Sequence, residues 1–273
     1  MKKAIITILL MIFVYTGFAA GKDVTLNTAE IIAKANHAAL YQGMDIKGKV
    51  SMAIKDNNGQ IRRRQFNLLR KNGDNGEQKY YTLFQRPADV RKMVFMVHKH
   101  ADLQKDDDRW LYLPGLDLVK RIAASDKRTS FAGSDFLYED ISGRNPAADQ
   151  HQLLRTTKTQ YVIKNTPKEP DRVEFVYYLA YIDKQSFLPM KMEFFKAGDQ
   201  LYRMIEALKV DSIHAKENGQ AVTYPTVTVS LAKDLEKQSQ TEMVISHIQY
   251  NVGLKDSLFS ERFLRRPPKD AIR

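Results

Sequence analysis

Cysteine is absent from all 273 residues, and that absence closes several routes at once. No disulfide can staple the fold, no thiolate can hold a metal, and no Cys nucleophile is available. Nor can the chain carry a lipid on an N-terminal cysteine. Acidic residues are the minority, 32 against 43 Lys and Arg, for a formal net charge of +11. There is no G-x-S-x-G elbow, no Gly-rich phosphate loop and no Walker pattern. Ser134 in "AGSDF" follows a Gly, but no Gly stands after it at the elbow position. Apolar runs long enough to span a bilayer are missing beyond the N-terminus.

What is present begins with an export signal. Met1-Lys2-Lys3 is a positive start, and Ala4 to Phe18 is apolar but short for a membrane span. Small residues at Gly17, Ala19, Ala20 and Gly21 offer cleavage after Ala19 or Gly21. The reading is a signal peptide over 1–21, a single domain over 22–273, and a periplasmic location. An uncleaved anchor is the alternative. Removing Lys2 and Lys3 takes the charge from +11 to about +9. On an exported protein, such a surface suits anionic lipid headgroups or an acidic partner more than nucleic acid. A merely solvated basic surface explains it equally well. The triplet Arg62-Arg63-Arg64 and the pair Arg265-Arg266 invite the same two readings.

One helix is legible, in "NTAEIIAKANHAALYQG". Asn27 and Glu30 form a capping box, Ile31, Ala35 and Ala38 repeat at helical spacing, and Gly43 can end it. After that the period becomes two. Ile46, Val50, Met52 and Ile54 share one side of a strand, and about ten more strands follow between short turns. "QLYRMIEALKV" also fits a helix, but its place between two hairpin signals favours a strand. Connections this short demand an antiparallel meander. A long twisted sheet of about eleven strands curls. The fold class expected is mainly β, a curved antiparallel sheet forming a half-open barrel, with an N-terminal amphipathic helix and a loop or helix lid.

The strand faces carry bulky rows: Val173, Phe175, Tyr177, Leu179 and Tyr181; Met190, Met192 and Phe194; Met93, Phe95 and Val97. Such rows are ordinary core, or the soft lining of a ligand cavity. Pattern alone favours core. A barrel of this many strands, hard to fill with side chains, pulls toward a cavity. The candidate lining is Met93, Phe95, Trp110, Tyr112, Phe131, Phe136, Phe175, Tyr177, Met192 and Phe194.

Chemistry is harder to find. His98 and His100 stand two apart in "HKH" and should share a face, with Asp102 and Asp106-Asp107-Asp108 as distant metal ligands. A solvated strand end and an exposed acidic turn are the plainer readings, so no metal and no cofactor are expected. Glu139 and Asp140 would point apart on a strand. The segment 125–141 combines Ser125, Asp126, Thr129, Ser130, Ser134 and Asp135 with Phe131, Phe136 and Tyr138. Those polar residues build loops through side-chain-to-backbone hydrogen bonds. An ordered, non-catalytic lid follows, its rings pointing inward and Ser134 and Asp135 bonding backbone amides.

Three stretches also resemble a known family. The run Trp110-Leu111-Tyr112-Leu113-Pro114, then Arg121-Ile122-Ala123 and "GSDFLYEDI", is similar to the signature of LolA-like outer-membrane lipoprotein-sorting proteins. "TYPTVTV" (223–229) and "YNVGLKDSLFSERFLRR" (250–266) resemble the C-terminal half of that family. The resemblance spans the mature chain. It implies a half-barrel capped by helices, an apolar cavity for lipid or lipoprotein acyl chains, and a branch working beside an RND-type inner-membrane transporter. The function expected is a monomeric, non-enzymatic periplasmic carrier. Its rivals are an envelope adaptor that carries no lipid and, further off, an envelope hydrolase.

Overall fold

The computed structural model describes residues 26–102 and 104–268; the expected leader and its cleavage site lie outside the described residues. Thirteen antiparallel strands form one open sheet. They are β1 (Asp45–Lys55), β2 (Ile61–Asn72), β3 (Gln78–Arg86), β4 (Val94–Lys99), β5 (Asp108–Leu113) and β6 (Leu118–Arg121). Then come β7 (Asp149–Thr156), β8 (Gln160–Pro167), β9 (Tyr177–Asp183), β10 (Pro189–Lys196), β11 (Gln200–Glu217), β12 (Gln220–Asp234) and β13 (Ser239–Tyr250).

The first six strands run outward from β1 to one edge, and β13 back to β7 runs outward to the other. The first and last strands join the two wings, with Val50 opposite Ile245 and Met52 opposite Met243. The connection from β6 to β7, residues 122–148, therefore links the two edges of the sheet. We call it the strap. It contains one short helix, α2 (Tyr138–Ser142).

The expected half-barrel is present, with thirteen strands rather than about eleven. The two additional ones, β6 and β7, are the edge strands. The sequence of β6 is "LVKR" and that of β7 "DQHQLLRT", both mostly exposed. An edge needs no apolar face, and polar residues there discourage further pairing. "QLYRMIEALKV" lies within β11, which extends to Glu217 in a long hairpin with β12.

The N-terminal helix starts as expected. The Asn27 side chain accepts from the Glu30 amide at 3.0 Å, and Glu30 accepts from the Asn27 amide at 2.8 Å. This α1 (Thr28–Asn36) then widens into a π-helical turn, His37–Tyr41.

Both faces of the first wing are covered. Inside, Phe66, Phe84, Phe95, Phe131 and Tyr138 form a cluster of rings. Outside, the C-terminal segment lays Leu254, Leu258, Phe259 and Leu264 over Leu69, Tyr81, Met96, Trp110 and Tyr112. That segment includes α3 (Arg262–Arg265). It is pinned by the Tyr81 hydroxyl donating to the Phe263 carbonyl at 2.8 Å and by Lys71 and Lys79 on Asp256, both at 2.8 Å. Pro268 is buried.

Candidate functional site

A cavity of about 360 Å³ opens between α1, the strap and the sheet. Its walls draw on nine neighbouring strands, from Phe66 and Leu68 on β2 round to His151 on β7. Laid flat, nine strands would span about 38 Å. One cavity of this size touches them all only because the sheet curls round it.

The wall is apolar where the sheet and helix make it. Ile32, Ala35, Ala39 and Leu40 come from the helix; Val50, Phe66 and Ile245 from the centre; Ala180, Met192, Phe194, Ile205 and Ala207 from the second wing. Small residues, Ala35, Ala39, Ala180, Ala207 and Ser230, stand where larger ones would fill the space. The helix is held by Ile31 and Ala35 against Ile163, Ala180 and Ile182.

The candidate lining separates into groups. Phe136, Met192 and Phe194 border the cavity. Met93, Phe95 and Phe131 pack in the ring cluster of the first wing instead. Phe131 has Phe66 and Phe84 at 5.7 Å and Phe95 and Tyr138 at 5.6 Å between ring centroids. Phe175 sits behind Phe194 at 5.4 Å, between the guanidinium groups of Arg128 and Arg144 at 4.9 and 5.4 Å. Trp110 and Tyr112 are corrections: they face the other side of the sheet, under the C-terminal segment. Tyr177 is another, stacked on Phe195 at 4.8 Å with Lys164 4.2 Å from its ring. Strand β9 begins only at Tyr177, so Phe175 lies outside its alternation, and Tyr178, Ala180 and Ile182 are the residues turned inward.

The polar part of the wall is a network unseen in the sequence. Arg128 grips Glu174 with two bonds of 2.6 Å and Glu139 with a third of 2.6 Å. Arg144 reaches Glu139 at 3.3 Å and Asp149 at 2.7 Å. Arg203 on β11 pairs with Asp140 and donates to the Asp135 carbonyl at 3.1 Å. Glu139 and Asp140 stand on the short helix α2 rather than a strand, both border the cavity, and they have different arginine partners. Burial opposes ionisation of Glu139, yet Arg128, Arg144 and Lys127 together hold its carboxyl below the usual carboxylate range. Likewise burial opposes, and Arg128 outweighs, so that Glu174 is held low.

Ser134 is tied into the backbone of the strap. Its hydroxyl donates to the Phe131 carbonyl at 2.7 Å and accepts from the Phe136 amide at 3.2 Å. The Asp135 carboxylate takes the hydroxyls of Ser239 and Thr241 rather than backbone amides. The imidazole of His98 bonds the Phe259 carbonyl at 2.7 Å, and that of His100 bonds Asp108 at 3.1 Å. Asp107 pairs with Arg109 and Asp108 with Arg121, so this acidic turn is ion-paired rather than merely exposed. Among the described residues, no group of three or more His, Asp or Glu side chains could hold a metal ion. No helix among them is long and apolar enough to cross a membrane.

Known structures agree with this architecture. A DUF1329 family protein from Desulfovibrio piger is 25% identical, with a TM-score of 0.75 over 86% of this chain and 96% of its own. A domain named for outer membrane lipoprotein sorting, from Vibrio parahaemolyticus, is 24% identical, with a TM-score of 0.76 over 88% and 98%. A LolA superfamily protein from Nitrosomonas europaea is 18% identical, with a TM-score of 0.63 over 88% and 100%. The chain therefore has the fold of these proteins, a LolA superfamily member among them. It belongs to the family whose model, described as "Uncharacterized protein", matches residues 76–266. No curated protein matches it in sequence.

Proposed function

We propose that this protein is a non-enzymatic carrier that holds an acyl chain in the cavity and passes it on within the cell envelope. The observation that carries the reading is the cavity itself: an apolar space kept open by alanines in a sheet that elsewhere packs rings tightly. Its size lies in the range of small-ligand sites. Each methylene buried there contributes about 0.8 kcal/mol, so roughly eight give about 6 kcal/mol before ordering costs. Such a hold is firm but releasable to a tighter acceptor. The similarity to a domain named for lipoprotein sorting supports the same reading, and the N-terminal run supports a periplasmic setting.

The cargo, lipoprotein or free lipid, enters on the helix side in this account. Ion pairs and the Phe131 plug tie the strap to both wings. The first turns of α1 rest on a few apolar contacts above a π turn, a common site of local adjustment. An RND-type transporter remains the proposed membrane partner, on the resemblance of the strap sequence.

Native mass spectrometry tests the proposal. Protein made with its leader and extracted gently should carry an adduct of acyl-lipid mass that organic extraction removes. A bare mass, with no rise in thermal stability on adding a long-chain acyl ligand, would overturn the reading.

A further inference from the structure

A second cavity, of about 300 Å³, lies on the other flank of the helix. Where the first is mostly apolar, this one has as much polar lining as apolar. The helix and its π turn contribute Asn36, His37 and Tyr41, the end of β4 contributes Lys99 and His100, and the strap contributes Asn145. None of its lining residues is acidic. The two cavities share Asn36 and Pro146 as wall. The π turn partitions them: Ala39 and Leu40 border the apolar space, while His37 and Tyr41 border the polar one.

Lys99 is the fixed cation here. Its side chain is buried, and its ammonium donates to the carbonyls of Ser142 at 3.0 Å and Gly143 at 3.1 Å. An ammonium has three donors, so one is left for a ligand. Gly143 also lines the apolar cavity, which sets the charge beside the acyl compartment. Burial pushes Lys99 down to about 8, against the pull of Asp107 and Glu139, so it is mostly charged at neutral pH.

We infer that the polar cavity is a headgroup subsite, which takes the phosphate or carboxylate head of an amphiphile whose acyl chain fills the apolar cavity. The inference rests on the carrier reading above. The His37 imidazole, two amides and an ammonium form a donor-rich pocket for such an anion, the His100 ring being held by Asp108, and the shared wall sets this pocket directly beside the acyl compartment.

The test is calorimetric titration of the delipidated protein at pH 7 with three probes: 1-palmitoyl lysophosphatidic acid, 1-monopalmitoylglycerol and glycerol 3-phosphate. The expected result is roughly tenfold tighter binding of the phosphate-headed lipid than of the neutral one, a charge-assisted contribution, with no binding of glycerol 3-phosphate alone. His37→Glu, at an exposed helix position, should abolish the preference and leave monopalmitoylglycerol affinity unchanged. Lys99→Gln should do the same if its circular dichroism is native. Equal affinity for the two lipids, or a preference that survives His37→Glu, overturns the headgroup subsite and leaves the carrier standing. Glycerol 3-phosphate binding as tightly as the lipid makes it a free-phosphate site and also overturns it. Failure of both lipids to bind removes the carrier reading and this inference together.

Discussion

The two wings of the inner face are built alike and filled differently. Under the first, the strap inserts Phe131 among Phe66, Phe84 and Phe95, all almost fully buried. Under the second, Ala180 and Ala207 face Ala35 and Ala39 of the helix, and space remains. One chain thus uses the same strand alternation to make a core on one side and a cavity on the other. The difference is side-chain volume, and which element lies on top.

The largest contrast should come from two truncations. Phe131→Ala removes a ring packed on every side and should cost about 3–5 kcal/mol in urea unfolding. Met192→Ala, whose side chain already borders empty space, should cost about 1 kcal/mol while weakening acyl binding. Equal costs would erase the distinction between the wings.

Glu139→Gln should come next, at about 3 kcal/mol, because it leaves Arg128 and Arg144 short of a buried partner. The same carboxyl gives a pH signature. Its folded pKa lies below the ordinary value of 4.5, so its stabilisation is present above about pH 4.5 and is lost as pH falls through the depressed value. Thermal melts between pH 6 and 3 should show the loss in the wild type and a flatter profile in Glu139→Gln.

Gly143→Ala tests the close approach of the strap to the helix. Gly143 has φ +80°, and a Cβ there would stand 2.2 Å from a Leu40 methyl. The helix must yield, at about 1–3 kcal/mol, and hydrogen exchange should rise in 28–41 while the first wing stays protected. Asp256→Asn should have the smallest effect. Lys71 and Lys79 hold this exposed carboxyl at about 2, and solvent screening limits the pairs to less than about 1 kcal/mol. Their contribution fades as pH falls from about 4 to about 2.

Much of this was legible in the sequence, for identifiable reasons. The capping box at Asn27 and Glu30 is local chemistry, and the Met192–Phe194 row is clean alternation with one covered face. Trp110 and Tyr112 misled because β3, β4 and β5 are buried on both faces. Alternation then sorts residues into two sets without saying which set faces the cavity. The edge strands β6 and β7 hid because edges are polar. The ionic network was invisible because Arg128, Glu139, Glu174 and Arg203 meet only when the strap links the wings. The cavity's alanines gave no signal, since small residues in a pattern look like any other core position.

The central claim is that the space under α1 is a ligand cavity rather than loosely packed core. Titrating palmitate into Ala207→Phe and wild-type protein tests it most directly, since a ring at Ala207 would occupy that space. The wild type should bind, and Ala207→Phe should fold with unchanged or slightly higher stability but lose palmitate binding by tenfold or more, about 1.4 kcal/mol or above. Unaltered palmitate affinity in a variant destabilised by about 1–3 kcal/mol, the cost of overfilling a packed interior, would contradict it.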